Sequence, residues 1–152
     1  MEKALVFLFT LFSVVLFSQN DSKRISHYNL ENKIAIQGYD PVAYFTIGKA
    51  VKGKKEIFAS YQGVIYKFSS NQNKEAFLKN PSEYEPQYGG WCAYAMGSTG
   101  DKIEINPETF KIINGKLYLF YNAYFNNTLK SWDKSETAIK IKADNNWKNI
   151  IK

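Results

Sequence analysis

Ala4 to Phe17 form an almost unbroken apolar run, with Lys3 before it and polar Gln19, Asn20 and Asp21 directly after it. A membrane span needs about 20 apolar residues, so the run is short, and its basic start fits a secretory signal peptide. Residues 1–18 are therefore read as a signal peptide cleaved near Ser18–Gln19. The mostly polar residues 19–33 read as a flexible N-terminal segment, and residues 34–152 as the domain. The expectation is an exported protein, periplasmic or extracellular, with no stable membrane span after cleavage.

Further along, the pattern alternates between periods of two and of three to four. In Glu56 to Ser70, Val64, Tyr66 and Phe68 share one face behind a Gln62-Gly63 turn, which predicts a β-hairpin. Thr109 to Asn122 place two apolar strands around Asn114-Gly115, a type I′ turn pair. Helix signals lie between and after these hairpins. Asp40 can cap a short helix with Pro41 at its first position, ending before Gly48. Ser69 or Ser70 caps "NQNKEAFLKN", which turns Ala76 and Phe77 inward and stops at Asn80-Pro81. "PSEYEP" adds one turn. "GGWCAYAMG" predicts a helix from about Gly90 to Met96, with Gly97 past its end. "AYFNNTLKSW" and "KSETAIKIKADNNW" read as two more helices, broken near Trp132–Lys134. The fold class is α+β: a small antiparallel sheet built from two β-hairpins, covered by short helices.

Composition narrows the function. The chain supports one domain with a single core. One cysteine, Cys92, allows no internal disulfide. The net charge of +6 is nearly all lysine, and Arg24 is the only arginine. Arginine reads base edges and forks phosphates, so its scarcity argues against nucleic-acid recognition. Lys49, Lys52, Lys54 and Lys55 read as a solvated loop.

Candidate chemistry centres on "PQYGGWCAYAMG", Pro86 to Gly97. Cys92 has two readings. At a helix start its thiolate is stabilised, and Gly89 and Gly90 would let a ligand approach the backbone. Alternatively it packs as a small hydrophobe. Met96 lies four residues on, and a thiolate with a thioether suits Cu(I). His27, the only histidine, falls in the N-terminal segment, which leaves no ordinary zinc site; as a nucleophile Cys92 would need His27 or else a carboxylate such as Asp40, Glu83 or Glu85 as its base. Tyr39, Tyr44, Tyr61, Tyr66, Tyr84, Tyr88 and Tyr94 could line a pocket for a flat ligand or bind haem iron, or make a tyrosine-rich core.

Three blocks occur in order: "GYDPVAYF", "YKFSSNQNKEAFLKNPSEYEPQYGGWCAYAMG" and "NGKLYLFYN", with "ADNNW" closing. Together, over about Gly38 to Trp147, they resemble the YHS-domain family, in particular its exported bacterial branch. The resemblance implies a compact α+β fold and a role in binding metal. Metal-associated YHS domains carry a cysteine in "DPVCG" and a pair in "FCSxxC"; here Ala43, Ser69 and Asn73 occupy those positions. Without thiolates, a soft metal site of that kind cannot form there. The resulting expectation is a non-enzymatic exported YHS-like domain. It would bind a metal ion or small ligand near Asp40, Tyr39, Tyr84, Tyr88 and Cys92, with Met96 as a second soft ligand. A copper or iron ion or haem are the cofactors considered. The alternative is a thiol-dependent redox protein or enzyme using Cys92.

Overall fold

A computed structural model describes residues 21–152. The expected signal peptide lies outside the described residues. Residues 21–27 are helical (α1). A tight turn then joins β1 (Leu30–Glu31) to β2 (Ile34–Ala35). The first predicted hairpin forms as β3 (Phe58–Tyr61) and β4 (Val64–Lys67), paired Ala59 to Tyr66 and Ser60 to Ile65. Gln62 and Gly63 turn it with φ 47° and 80°, the left-handed pair of a type I′ turn. Val64, Tyr66 and Phe68 are fully buried, as their alternation predicts. They pack on Phe77 of α3 (Asn71–Lys79), whose ring lies 4.6 Å from Tyr66 and 5.3 Å from Phe68. Ser70 caps α3 by accepting from Asn73 N at 3.1 Å. Pro81 begins the next turn, α4 (Pro81–Tyr84).

The second hairpin is β5 (Asn106–Ile113) and β6 (Lys116–Phe120), turned by Asn114-Gly115 at φ 50° and 71°. The fold is α+β, as expected. The two hairpins stand in separate sheets, however, because the second edge of β4 is taken by β2, which runs parallel to it. Strand β6 joins two cores through its period-two alternation. Leu117 and Leu119 face a cluster with Tyr44, Tyr66, Phe77 and Cys92. Tyr118 and Phe120 face another with Tyr88, Met96, Trp132 and Ala143. Each fully buried large side chain contributes about 1.5–3 kcal/mol of transfer free energy.

Three expectations are corrected. From residue 21 the N-terminal segment is part of the fold rather than flexible. Its Tyr28 ring packs 6.0 Å from Trp147, Asn29 N donates to Gly89 O at 2.9 Å, and His27 O accepts from Trp91 Nε1 at 2.7 Å. Second, the "WCAYAMG" helix, α5, spans Ala93–Ser98 and contains Gly97 instead of ending before it. A Cβ there would lie 2.5 Å from both Ile139 Cγ1 and Ile139 O, so glycine is what lets α7 (Glu136–Ile150) pack against α5. Third, "AYFNN" is not helical. It forms a two-strand hairpin, β7 (Asn122–Ala123) and β8 (Asn126–Asn127), with Tyr124-Phe125 at the turn. Asn127 then caps α6 (Thr128–Asp133), its side chain accepting from Leu129 N at 3.1 Å. Among the described residues, no helix is long and apolar enough to cross a membrane.

Candidate functional site

Asp40 is entirely buried yet fully hydrogen-bonded. Its Oδ1 accepts from Val42 N at 2.9 Å and Ala43 N at 3.4 Å, which starts the helical turn α2 (Ala43–Thr46). Its Oδ2 accepts from Ser69 N at 2.8 Å, Ser69 Oγ at 2.6 Å and Asn73 Nδ2 at 2.7 Å. The three positions where metal-associated YHS domains carry thiols, Ala43, Ser69 and Asn73, therefore all meet at this carboxylate. A carboxylate offers about four lone-pair sites, and the donors here fill them. No lone pair is left for a cation. The arrangement ties α2, the end of β4 and α3 together, which is structural chemistry.

The other predicted site residues are not brought to Asp40 as one constellation. Tyr39 pairs across a bridge with Lys52, whose Nζ sits 4.7 Å over the Tyr39 ring. Tyr84 packs edge-on to Phe45 at 5.4 Å. Tyr88 belongs to the second core, its hydroxyl donating to Asp144 Oδ1 at 2.8 Å. Burial, then the bond to Asp144 and its charge, push the Tyr88 pKa far above the usual tyrosine range.

Cys92 is fully buried just before α5. Its Sγ accepts from Tyr121 N at 3.3 Å and lies 3.4 Å from Thr128 Oγ1. Thr128 gives its own hydroxyl proton to Tyr121 O at 2.9 Å, so the thiol is the donor toward Thr128. Met96 packs in the second core and Cys92 in the first, so the soft pair expected of them serves two separate clusters. Gly89 permits a close approach, but by the chain itself. A Cβ there would meet Tyr28 at 2.8 Å and Trp147 at 2.9 Å. Among the described residues, no group of three or more His, Cys, Asp or Glu could hold a metal ion.

A second constellation was not foreseen. Arg24 of α1 forks onto Glu85, donates to Tyr28 Oη at 2.9 Å, and stacks 4.5 Å from the Tyr28 ring and 5.4 Å from the Tyr61 ring. Tyr66 donates to the same Glu85 at 2.5 Å. Burial opposes the Arg24 charge, but the bond to Glu85 and its charge outweigh that, and the guanidinium pKa is raised. Burial and then the Glu85 charge push the Tyr66 pKa well up. The Nε of Arg24 is buried without a partner. Arg24 lines a cleft of about 200 Å³ with Lys23, His27, Tyr28, Gln62 and Ile151. His27 Nδ1 lies 3.1 Å from Lys102 Nζ. An ammonium group only donates, so Nδ1 accepts and the ring proton sits on Nε2. The one signal in the sequence was Arg24 itself, the sole arginine among many lysines.

The family model of the YHS domain matches residues 42–88. The matched segment holds Ala43, Ser69, Asn73, Glu85 and Tyr88, and supports the YHS-domain resemblance. Asp40, Cys92, Met96 and the cleft residues of α1 lie outside it. No curated protein and no solved structure was found to match the chain.

Proposed function

We propose that this chain is a YHS-type, non-enzymatic binding domain, exported to the periplasm or beyond, that takes a small anionic ligand in the cleft beside Arg24. The observation that carries this reading is the cleft that Lys23, Arg24, His27 and Tyr28 line together. Glu85 neutralises Arg24, so Lys23 and the His27 Nε2–H supply the remaining attraction. The cleft is smaller than the ~300–1,000 Å³ of sites for drug-sized ligands, which favours a compact anion such as phosphate or a short dicarboxylate.

A metal cation fits less well on both counts. The Asp40 lone pairs are engaged, and the cleft lining is cationic. The thiol-dependent alternative gains no support either. Cys92 is buried and bonded to backbone, and Glu85, one of the carboxylates considered as its base, is held by Arg24 and Tyr66.

Calorimetric titration with inorganic phosphate and with succinate, beside copper, iron and haem, tests the reading. Anion binding should weaken with salt and fall about tenfold in a Lys23→Gln, His27→Gln variant that leaves the Arg24–Glu85 pair intact. Binding of copper, iron or haem at one per chain, or no uptake of either anion, would overturn it.

A further inference from the structure

His27 lines the Arg24 cleft, and its Nδ1 accepts from Lys102 Nζ at 3.1 Å. In this state the ring is neutral, with its proton on Nε2. A second proton can go only to Nδ1, the atom that Lys102 occupies. An N–H and an ammonium cannot share that bond, so charging the ring means parting from Lys102. On the reading that the cleft takes an anion, we infer that the anion enters together with one proton, which settles on His27 Nδ1 and makes the ring cationic.

The charged groups around the ring set this coupling. Lys23 and Arg24 of α1 share its cleft, and Glu85 matches only the Arg24 charge. Tyr28 stays neutral, because burial and then the Glu85 charge raise its pKa. From the loop before β5, Lys102 touches the ring, while Asp101 is exposed and Glu104 accepts from Asn29 at 3.2 Å. Just past α7, Lys152 O accepts from Lys23 Nζ at 2.7 Å, and Lys152 Nζ donates to Asn149. Among the described residues, no carboxylate pairs with the ring. Cations therefore outnumber anions around His27, and a bound anion redresses that balance. It also gives an imidazolium a charge-assisted hydrogen bond, roughly twice as strong as a neutral one. Lys102 has somewhere to go. Its Nζ already lies 6.0 Å from the Trp91 ring, and burial lowers its pKa where it stands, so its charge is better hydrated once released. With one proton taken up per anion, affinity falls as pH rises, by up to about tenfold per unit.

His27 is the only histidine, so its ring nitrogens give one unambiguous pair of nitrogen-15 signals. The test uses the full chain at about pH 7, with inorganic phosphate and with succinate. Calorimetry reads binding and NMR reads the ring. Before either anion is added, Nδ1 should show the shift of an unprotonated acceptor. At saturation with whichever anion binds, both nitrogens should show the N–H shift of an imidazolium. Lys102→Met removes the competing donor and a like charge, so its ring should gain the second proton at a higher pH than the parent's, before any anion is added. If calorimetry shows no uptake of either anion, the anion reading falls and the coupled proton falls with it. If an anion binds while Nδ1 stays unprotonated, the coupling alone is overturned. A Lys102→Met ring that titrates like the parent's overturns it too, since Lys102 would then not govern the proton.

Discussion

The hydroxyl of Ser69 donates a 2.6 Å hydrogen bond to Oδ2 of Asp40, at a position where metal-associated YHS domains carry a cysteine. The Asn73 amide reaches the same oxygen at 2.7 Å from the position of the next thiol. The two side chains converge on one carboxylate oxygen. A buried charge is tolerated only when its hydrogen bonds are made, and here they are.

Asp40→Asn should therefore destabilise the fold strongly. It turns an acceptor into a group that must point an NH₂ at existing donors, at a cost of about 2–4 kcal/mol. Urea titration of both proteins measures this. A variant as stable as the parent would show that the buried knot contributes nothing.

Cys92 should not react with a thiol reagent in the native protein and should react at once in guanidinium. Cys92→Ala leaves Tyr121 N without its acceptor and a small void, costing about 1–3 kcal/mol. Rapid native labelling would contradict the burial seen here and reopen thiol chemistry.

Gly97→Ala offers a test of sign. Within an ordinary helix this change stabilises by about 1 kcal/mol. Against Ile139 it should destabilise by about 1–3 kcal/mol, because one of the two atoms 2.5 Å away is a backbone oxygen that cannot rotate aside. A raised melting midpoint would mean α5 and α7 separate at little cost.

Stability should fall at alkaline pH. Tyr44, Tyr66 and Tyr88 are buried, and burial is the first cause that raises each pKa. Below the ordinary value of about 10 these groups are neutral in both folded and unfolded chains, and their contribution is complete. Above it the unfolded chain releases protons that the folded chain keeps, so each residue lowers stability by about 1.4 kcal/mol per pH unit until its folded pKa is reached. Denaturant midpoints at about pH 8 and pH 11 should differ accordingly. A flat profile would show that these hydroxyls ionise freely in the folded protein.

The sequence was most legible where local chemistry decides. Gln62-Gly63 and Asn114-Gly115 fix their own turns, and Ser70 and Pro81 punctuate α3 and α4, so those elements fall where the pattern puts them. It misled where a distant element decides. Gly97 looks like a helix stop until Ile139 is set against it. Tyr124-Phe125 lacks every residue type that announces a type I′ turn, so a helix was the natural reading. The site was legible in part for the same reason. Asp40 stood out as a cap, and its second task, collecting Ser69 and Asn73, depends on how α3 returns to α2. The Arg24–Glu85 pair joins residues 61 apart, and nothing local marks it.

Tyr28 sits between Gly89 and Trp147, and Tyr88 bonds to Asp144. The seat of Tyr28 is therefore completed by a residue of α7, far along the chain. The second core, which holds Tyr88, cannot close without Ile139 and Ala143 of α7, and such far-separated contacts form only after a long loop has been closed. The second core is therefore completed only when α7 packs onto α5 and β6, which makes the docking of that helix a late step of folding.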